Sequence, residues 1–254
     1  MQSDEALLWH GALVLVGVAA GFVNTLAGGG SLLTLPVLML AGLEAHVANG
    51  TNRVAVFLQS LAGTSAFDRE GQLDRSAAFA IALPSLFGAL AGASTAAYLP
   101  GGVLKPALLV AMIAIAVLML VRPAVLAPHP DGVPRTLRES PAAVPALFAI
   151  GFYGGFVQAG VGILLLAALG GLLRYDLVRA NALKLLVVMM FTGLALVVFI
   201  AVGQVWWIPG LALSIGTVVG SRLGVRFAVR TGHETLRRVV LAVAIVSCVA
   251  VWLR

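Results

Sequence analysis

Three consecutive glycines, Gly28, Gly29 and Gly30, run into Ser31 inside a stretch with no charged residue from Ala6 to Leu43. Asn49, Thr51, Asn52 and Arg53 then open the next apolar run. A sparser version recurs later, with Gln158, Gly160 and Gly162 followed by Asn181 and Lys184. These residue types suit holding an anion and lack the groups for transforming one. A helix that starts just after glycines offers unpaired N–H groups and about half a positive charge of dipole. Asn24, Asn49, Thr51, Asn52, Gln59, Gln158 and Asn181 can hydrogen-bond oxyanion oxygens. Arg53 and Lys184 lie within apolar runs that hold no Asp or Glu. A buried cation is costly unless paired, so a counter-ion arriving with a ligand fits the pattern. Three plainer readings stand beside this one. The glycines let helices pack closely, the amides join helices, and the two cations snorkel to headgroups.

The elements that must position these groups follow from composition. Hydrophobic residues make up 61% of the chain and charged residues 10%, with a mean hydropathy of +1.06. A soluble domain is nearer 45–50% apolar and about 25% charged. The chain therefore reads as a polytopic membrane protein. In a bilayer, a backbone break must be buried in protein or line a wet cavity, because lipid satisfies no backbone polar group. The net charge of +6 sits in short loops, as orientation signals do, so no nucleic-acid partner is expected. The single Cys248 excludes a disulfide framework and a thiolate metal site. No metal or other cofactor is expected. The acidic start, with Asp4 and Glu5, lacks the basic region of a secretory signal, so the first segment is expected to be retained. HExxH, GxSxG, Walker and paired intramembrane carboxylate patterns do not occur, so an enzyme is not expected.

Charge-free runs predict a first helical piece near Ala6–Thr25, ended by the glycines, and a second at Leu32–Leu43. Twelve residues reach only about 18 Å, short of the roughly 30 Å hydrocarbon core. A re-entrant or broken hairpin results. Helices are predicted near His46–Phe67, Ser76–Tyr98 and Val103–Val121, then a proline-rich linker at Arg122–Pro141. Beyond it the pattern repeats. Gly21-Phe22-Val23-Asn24 matches Gly155-Phe156-Val157-Gln158 at an offset of 134. Ala48-Asn49 matches Ala180-Asn181 at 132, as do Gly71-Gln72-Leu73 with Gly203-Gln204-Val205 and Val103-Leu104-Lys105 with Thr235-Leu236-Arg237. Gly88 and Gly92 match Gly216 and Gly220 at 128, each a GxxxG for close helix contact. The second half is expected to break at Gln158–Gly162, with helices near Ile163–Leu173, Ala180–Ala201, Trp206–Phe227 and Thr235–Leu253.

The fold expected is all-α: two inverted repeats, each a broken or re-entrant helical hairpin plus three transmembrane helices. The first repeat spans 1–121, a cytoplasmic linker 122–142, and the second repeat 143–254. With both termini outside, twelve arginines fall on inner loops: Arg69, Arg75, Arg122, Arg135, Arg138, Arg174, Arg179, Arg222, Arg226, Arg230, Arg237 and Arg238. Only Lys105 and Arg254 fall outside, which satisfies the positive-inside rule. Matching loops differ in charge: Asp68–Arg75 holds two arginines and its counterpart Val202–Trp207 none, as inverted repeats require.

The run GFVNTLAGGGSLLTLPVLMLAGL, with Ala48-Asn49-Gly50-Thr51-Asn52-Arg53 after it, resembles the TauE/SafE family of sulfite exporters. The resemblance covers nearly the whole chain; the second-half motif, GFVQAGVGI with Ala180–Lys184, is the less specific part. It implies a bacterial inner-membrane permease for a small sulfur-containing anion such as sulfite, sulfate, thiosulfate or an organosulfonate. It points to Asn24, Gly28–Gly30 and Asn49–Asn52. The expected partners are that anion and the lipid bilayer; a homo-oligomer stays open. Export is the direction expected. A permease for another small anion, an uptake system, or a non-transporting membrane subunit or scaffold are the alternatives.

Overall fold

A computed structural model describes residues 3–121 and 133–231, together with Thr235 and Arg238. Most of the expected final helix, Cys248 and the greater part of the linker lie outside the described residues. Nine α-helices and no strand occur among the described residues: α1 (Ser3–Ala27), α2 (Ser31–Leu40), α3 (Ala45–Arg69), α4 (Arg75–Tyr98), α5 (Gly101–Val121), α6 (Ala143–Phe156), α7 (Val161–Gly171), α8 (Leu177–Ala201) and α9 (Trp207–Arg230). Four are long and apolar enough to cross a membrane: Leu8–Ala27, Arg75–Tyr98, Leu177–Ala201 and Trp207–Arg230.

Both breaks fall where the sequence places them. α1 stops because Gly28 takes a positive φ of 80°, which helical hydrogen bonding cannot continue through. α2 has 10 residues and α7 has 11, each about 15 Å long and too short to cross. Some boundaries move outward from the expected ones for a local reason. α8 starts at Leu177 because the Asp176 carboxylate accepts from the N–H groups of Val178 and Arg179, both at 3.0 Å. Asp74 does the same for α4, accepting from Ser76 and Ala77 at 3.1 Å. An N-cap of this kind satisfies two otherwise orphaned donors.

Packing exchanges helices between the halves. α1 lies along α9, and α4 along α6. Small residues bring these backbones together: a Cβ on Gly21 would lie 2.7 Å from the Thr217 Cα, and one on Gly155 would lie 2.7 Å from the Ala89 Cα. These two contacts join positions that match in the sequence. The register of each pair rises together, Gly17 with Leu213 and Gly21 with Thr217, then Gly151 with Ser85 and Gly155 with Ala89; each pair is parallel. α3 and α8 form the centre and run antiparallel, since Gly50 meets Phe199, Gly193 meets Phe57 and Gly63 meets Leu185. α9 flanks α3, and α4 flanks α8.

Candidate functional site

The site is built where the two breaks meet, and its cations decide the electrostatics. Lys184, on α8, reaches the carbonyl end of α1. Its Nζ donates to the Asn24 carbonyl at 2.9 Å, the Thr25 carbonyl at 2.8 Å and the Asn181 Oδ1 at 2.6 Å. An ammonium has three N–H donors, so all are used. Arg53, on α3, does the equivalent for α6: Nη1 donates to the Gly154 carbonyl at 3.2 Å, and Nη2 to the Gly155 carbonyl and to the Asn49 Oδ1, 3.4 Å away. The Asn49 amide donates to the Phe156 carbonyl at 2.8 Å, and the guanidinium lies 4.6 Å from the Phe199 ring centroid. Each of α3 and α8 thus sends a cation to the carbonyl end of the other broken helix, with an asparagine of its own helix beside the cation.

This corrects the expectation of unpaired cations awaiting a ligand. A helix C-terminus carries about half a negative charge, and each cation lies against one. Nor does either snorkel, because Arg53 and Lys184 are 0% and 1% exposed. Spare donors remain: the Arg53 Nε and the Asn181 Nδ2 are each buried without a partner.

The amide ends of the short helices are treated differently. Gly28 and Gly162 touch backbone to backbone, so that a Cβ on Gly162 would lie 2.5 Å from the Gly28 Cα. Leu32 and Leu33 donate to the carbonyls of Gly29 and Gly30, and Ile163 donates to that of Gly160. The Gly30 N–H is taken by the Asn24 Oδ1 at 3.3 Å. The N–H groups of Ser31 and Gly162 find no carbonyl acceptor in these turns. The carbonyl ends at the crossing are therefore covered by cations, while the amide ends keep donors.

Asn52 links the two breaks. Its amide donates to the Ser31 Oγ at 3.1 Å and the Gln158 Oε1 at 3.4 Å, and its Oδ1 accepts from the Thr34 hydroxyl at 2.6 Å. Gln158 donates onward to the Thr192 Oγ1 at 2.9 Å. Ser31 is the first residue of α2; Gly30 is its N-cap.

Asn24, Gly28, Ser31, Asn49, Asn52, Arg53, Gln158, Gly162, Asn181 and Lys184 therefore come together. Others stand apart. The Thr51 hydroxyl accepts the Trp206 N–H at 2.9 Å, anchoring the start of α9. Gly30 backs onto Ala20 and Asn24, and Gly160 onto Ile115. Gly29 has room: a Cβ there meets nothing closer than 3.7 Å, so the critical close approach belongs to Gly28. Thr25, Thr34 and Thr192 were not singled out from the sequence. Thr34 could have been found from its spacing, one helical turn after Ser31 and on the same face; nothing local marks Thr192.

The family model described as "Sulfite exporter TauE/SafE" matches residues 13–251. The chain belongs to the TauE/SafE family. Among its TauE/SafE relatives, the probable membrane transporter protein YfcA of Escherichia coli K12 is 30% identical over 237 residues, covering 93% of this chain and 87% of that protein. The probable membrane transporter protein ORF9 of a Sinorhizobium species is 30% identical, covering 92% and 88%. A probable membrane transporter protein of Haemophilus influenzae is 27% identical over 233 residues, covering 90% and 89%. No solved structure matches the chain. Membership in this family, its relatives and four apolar helices make the chain a polytopic membrane transporter.

Proposed function

We propose that this transporter moves a small sulfur-containing anion, an oxyanion or organosulfonate, through a site at the crossed helix breaks. The observation that carries the reading is the asymmetry of helix ends there. Lys184 and Arg53 cover the carbonyl ends of α1 and α6, and the short helices α2 and α7 present amide ends. What remains for a ligand is a net donor surface, suited to a negative group that brings several acceptor oxygens.

We read the chain as two inverted repeats, 1–121 and 143–254, joined by a cytoplasmic linker. The antiparallel run of the equivalent helices α3 and α8, and the matching contacts Gly21–Thr217 and Gly155–Ala89, support that reading. The membrane is the bacterial inner membrane, with both termini periplasmic, on the strength of the arginine distribution. An inside-negative potential drives an anion outward by about 2.3 kcal/mol per charge per 100 mV, so uniport alone yields export. Flux into proteoliposomes from a panel of sulfite, sulfate, thiosulfate, methanesulfonate and chloride tests the assignment. Saturable influx of one sulfur anion, accelerated by an inside-positive potential, is expected. Chloride flux alone would transfer the site to another anion, and no flux of any would leave a scaffold.

A further inference from the structure

Past Arg53, α3 carries three polar side chains that the site does not use. Gln59, Ser60 and Thr64 are 1%, 0% and 7% exposed. The Gln59 Nε2, the Ser60 Oγ and the Thr64 Oγ1 are each buried without a hydrogen-bond partner. Leaving one such group unsatisfied is destabilising, and three within two turns of one helix is a large penalty to retain for packing. Their placement is ordered. Asn49, Arg53, Ser60 and Thr64 are separated by intervals of 4, 7 and 4 residues, which keeps them on one helical stripe. Gln59 lies on the neighbouring stripe, 7 residues beyond Asn52. The stripe leads from the crossed breaks toward the Asp68–Arg75 turn. Phe67, fully buried and 3 residues past Thr64, closes it at that end.

The equivalent part of α8 has no such lining. At the 132 offset, Gln59 corresponds to Phe191 and Thr64 to Leu196, and Thr192, in the place of Ser60, is already bonded to Gln158. Fold and packing are therefore served by an apolar face here; the polar one on α3 has another use.

We propose that Gln59, Ser60 and Thr64 line the route by which a hydrated oxyanion passes between the crossed breaks and the Asp68–Arg75 side, with Phe67 as its gate. This rests on the transport reading above. The neutral donors replace part of the anion's water shell in steps, and without a fixed charge they do not trap it. Nothing comparable lines α8, so the other half of the route relies on helix movement.

The test uses full-length protein in a Cys248→Ser background, in membrane vesicles of known orientation, with an impermeant thiosulfonate reagent. Gly71→Cys, in the turn, marks the side. Gln59→Cys, Ser60→Cys and Thr64→Cys are expected to react from that same side, about tenfold faster than Phe191→Cys and Ala195→Cys. Phe67→Ala should speed all three. Reaction no faster than at Phe191→Cys, or only from the opposite side, overturns the route. Thr64→Val, a near-isosteric change, guards against misfolding: the route predicts about a tenfold loss of flux, the worth of one hydrogen bond to a charged group, with melting temperature equal or higher. Unchanged flux in that variant makes Thr64 a packing residue and overturns the proposal. Wild-type protein that carries anion while the three cysteines stay inert removes the route alone. Wild-type protein that carries none removes the transport reading, and the route with it.

Discussion

α3 and α8 begin from matching sequence, Ala48-Asn49 and Ala180-Asn181, and each sends a cation about one turn later into the other half's broken helix. There the likeness stops. α3 continues with Gln59, Ser60 and Thr64, whereas α8 has Phe191, Thr192, which is already bonded to Gln158, and Leu196 at those places. The shared part is dictated by the breaks, because a helix interrupted inside the protein leaves carbonyls that need donors. The unshared part is imposed by no such need. The comparison of α3 with α8 thus separates what a broken helix demands, met by a cation on each, from what only α3 carries.

The largest effect expected is at the crossing itself, where the two halves are alike. Gly28→Ala and Gly162→Ala should each destabilise by about 3 kcal/mol, since each forces backbone apart, and Gly28 adds a positive φ that alanine resists. Gly29→Ala should stay within about 0.5 kcal/mol of wild type. Thermal unfolding in detergent measures all three. Equal melting temperatures for Gly28→Ala and Gly29→Ala would break the picture of a backbone crossing.

Next come the cations. If Lys184 is a cap for α1 as Arg53 is for α6, removing either leaves carbonyls without donors. Lys184→Met is expected to cost about 3 kcal/mol, the range for breaking a buried charged network. Arg53→Met should cost a similar amount, because its Nη groups hold the Gly154 and Gly155 carbonyls and the Asn49 Oδ1. A rise in stability in either variant would restore the earlier expectation of an unpaired cation relieved by neutralisation.

The asparagines sharpen the comparison further. Asn49 uses both its oxygen and its nitrogen. The Asn181 Oδ1 accepts from Lys184, while its Nδ2 is buried and unpartnered. Asn49→Ala should therefore lose about 1 kcal/mol more than Asn181→Ala. In flux, the order is expected to reverse if the spare Asn181 amide is a ligand donor.

The smallest effect lies at the helix starts. Asp74 caps α4, whereas Trp206, which matches it at the 132 offset, provides no side-chain cap for α9. Hydrogen bonds from Ser76 and then Ala77 hold the Asp74 carboxyl below its ordinary pKa. A lowered folded-state pKa means that the cap's stabilisation is complete above the unfolded value, about 3.9, and disappears as pH falls through the lower folded one. Asp74→Ala should cost about 1 kcal/mol at neutral pH and flatten the acid limb of the stability curve. An acid limb of unchanged slope would show that this cap does not govern it.

Much of this was legible in order along the chain. The hairpin breaks, the short second arms and the offsets between halves are local properties of glycine placement and hydrophobic run length. The start of α8 lies a few residues before the expected Ala180, because the Asp176 side chain caps it at Leu177. The glycine run was read as a unit, yet only Gly28 has both the positive φ and the close approach. Local sequence cannot rank three adjacent glycines, since what distinguishes them is Gly162, more than 130 residues away.

The sequence alone determined the membrane class, because 61% apolar residues with 10% charged leave no other solvent for the chain. It determined the two breaks as well. The tertiary structure alone decided what the cations are for. Lys184 meets α1 across 160 residues and Arg53 meets α6 across 101. Both contacts exist because small residues let α1 lie on α9 and α4 on α6, which carries each broken helix into the opposite half. A buried charge takes the best acceptor within reach, and only the packed chain fixes which carbonyls those are.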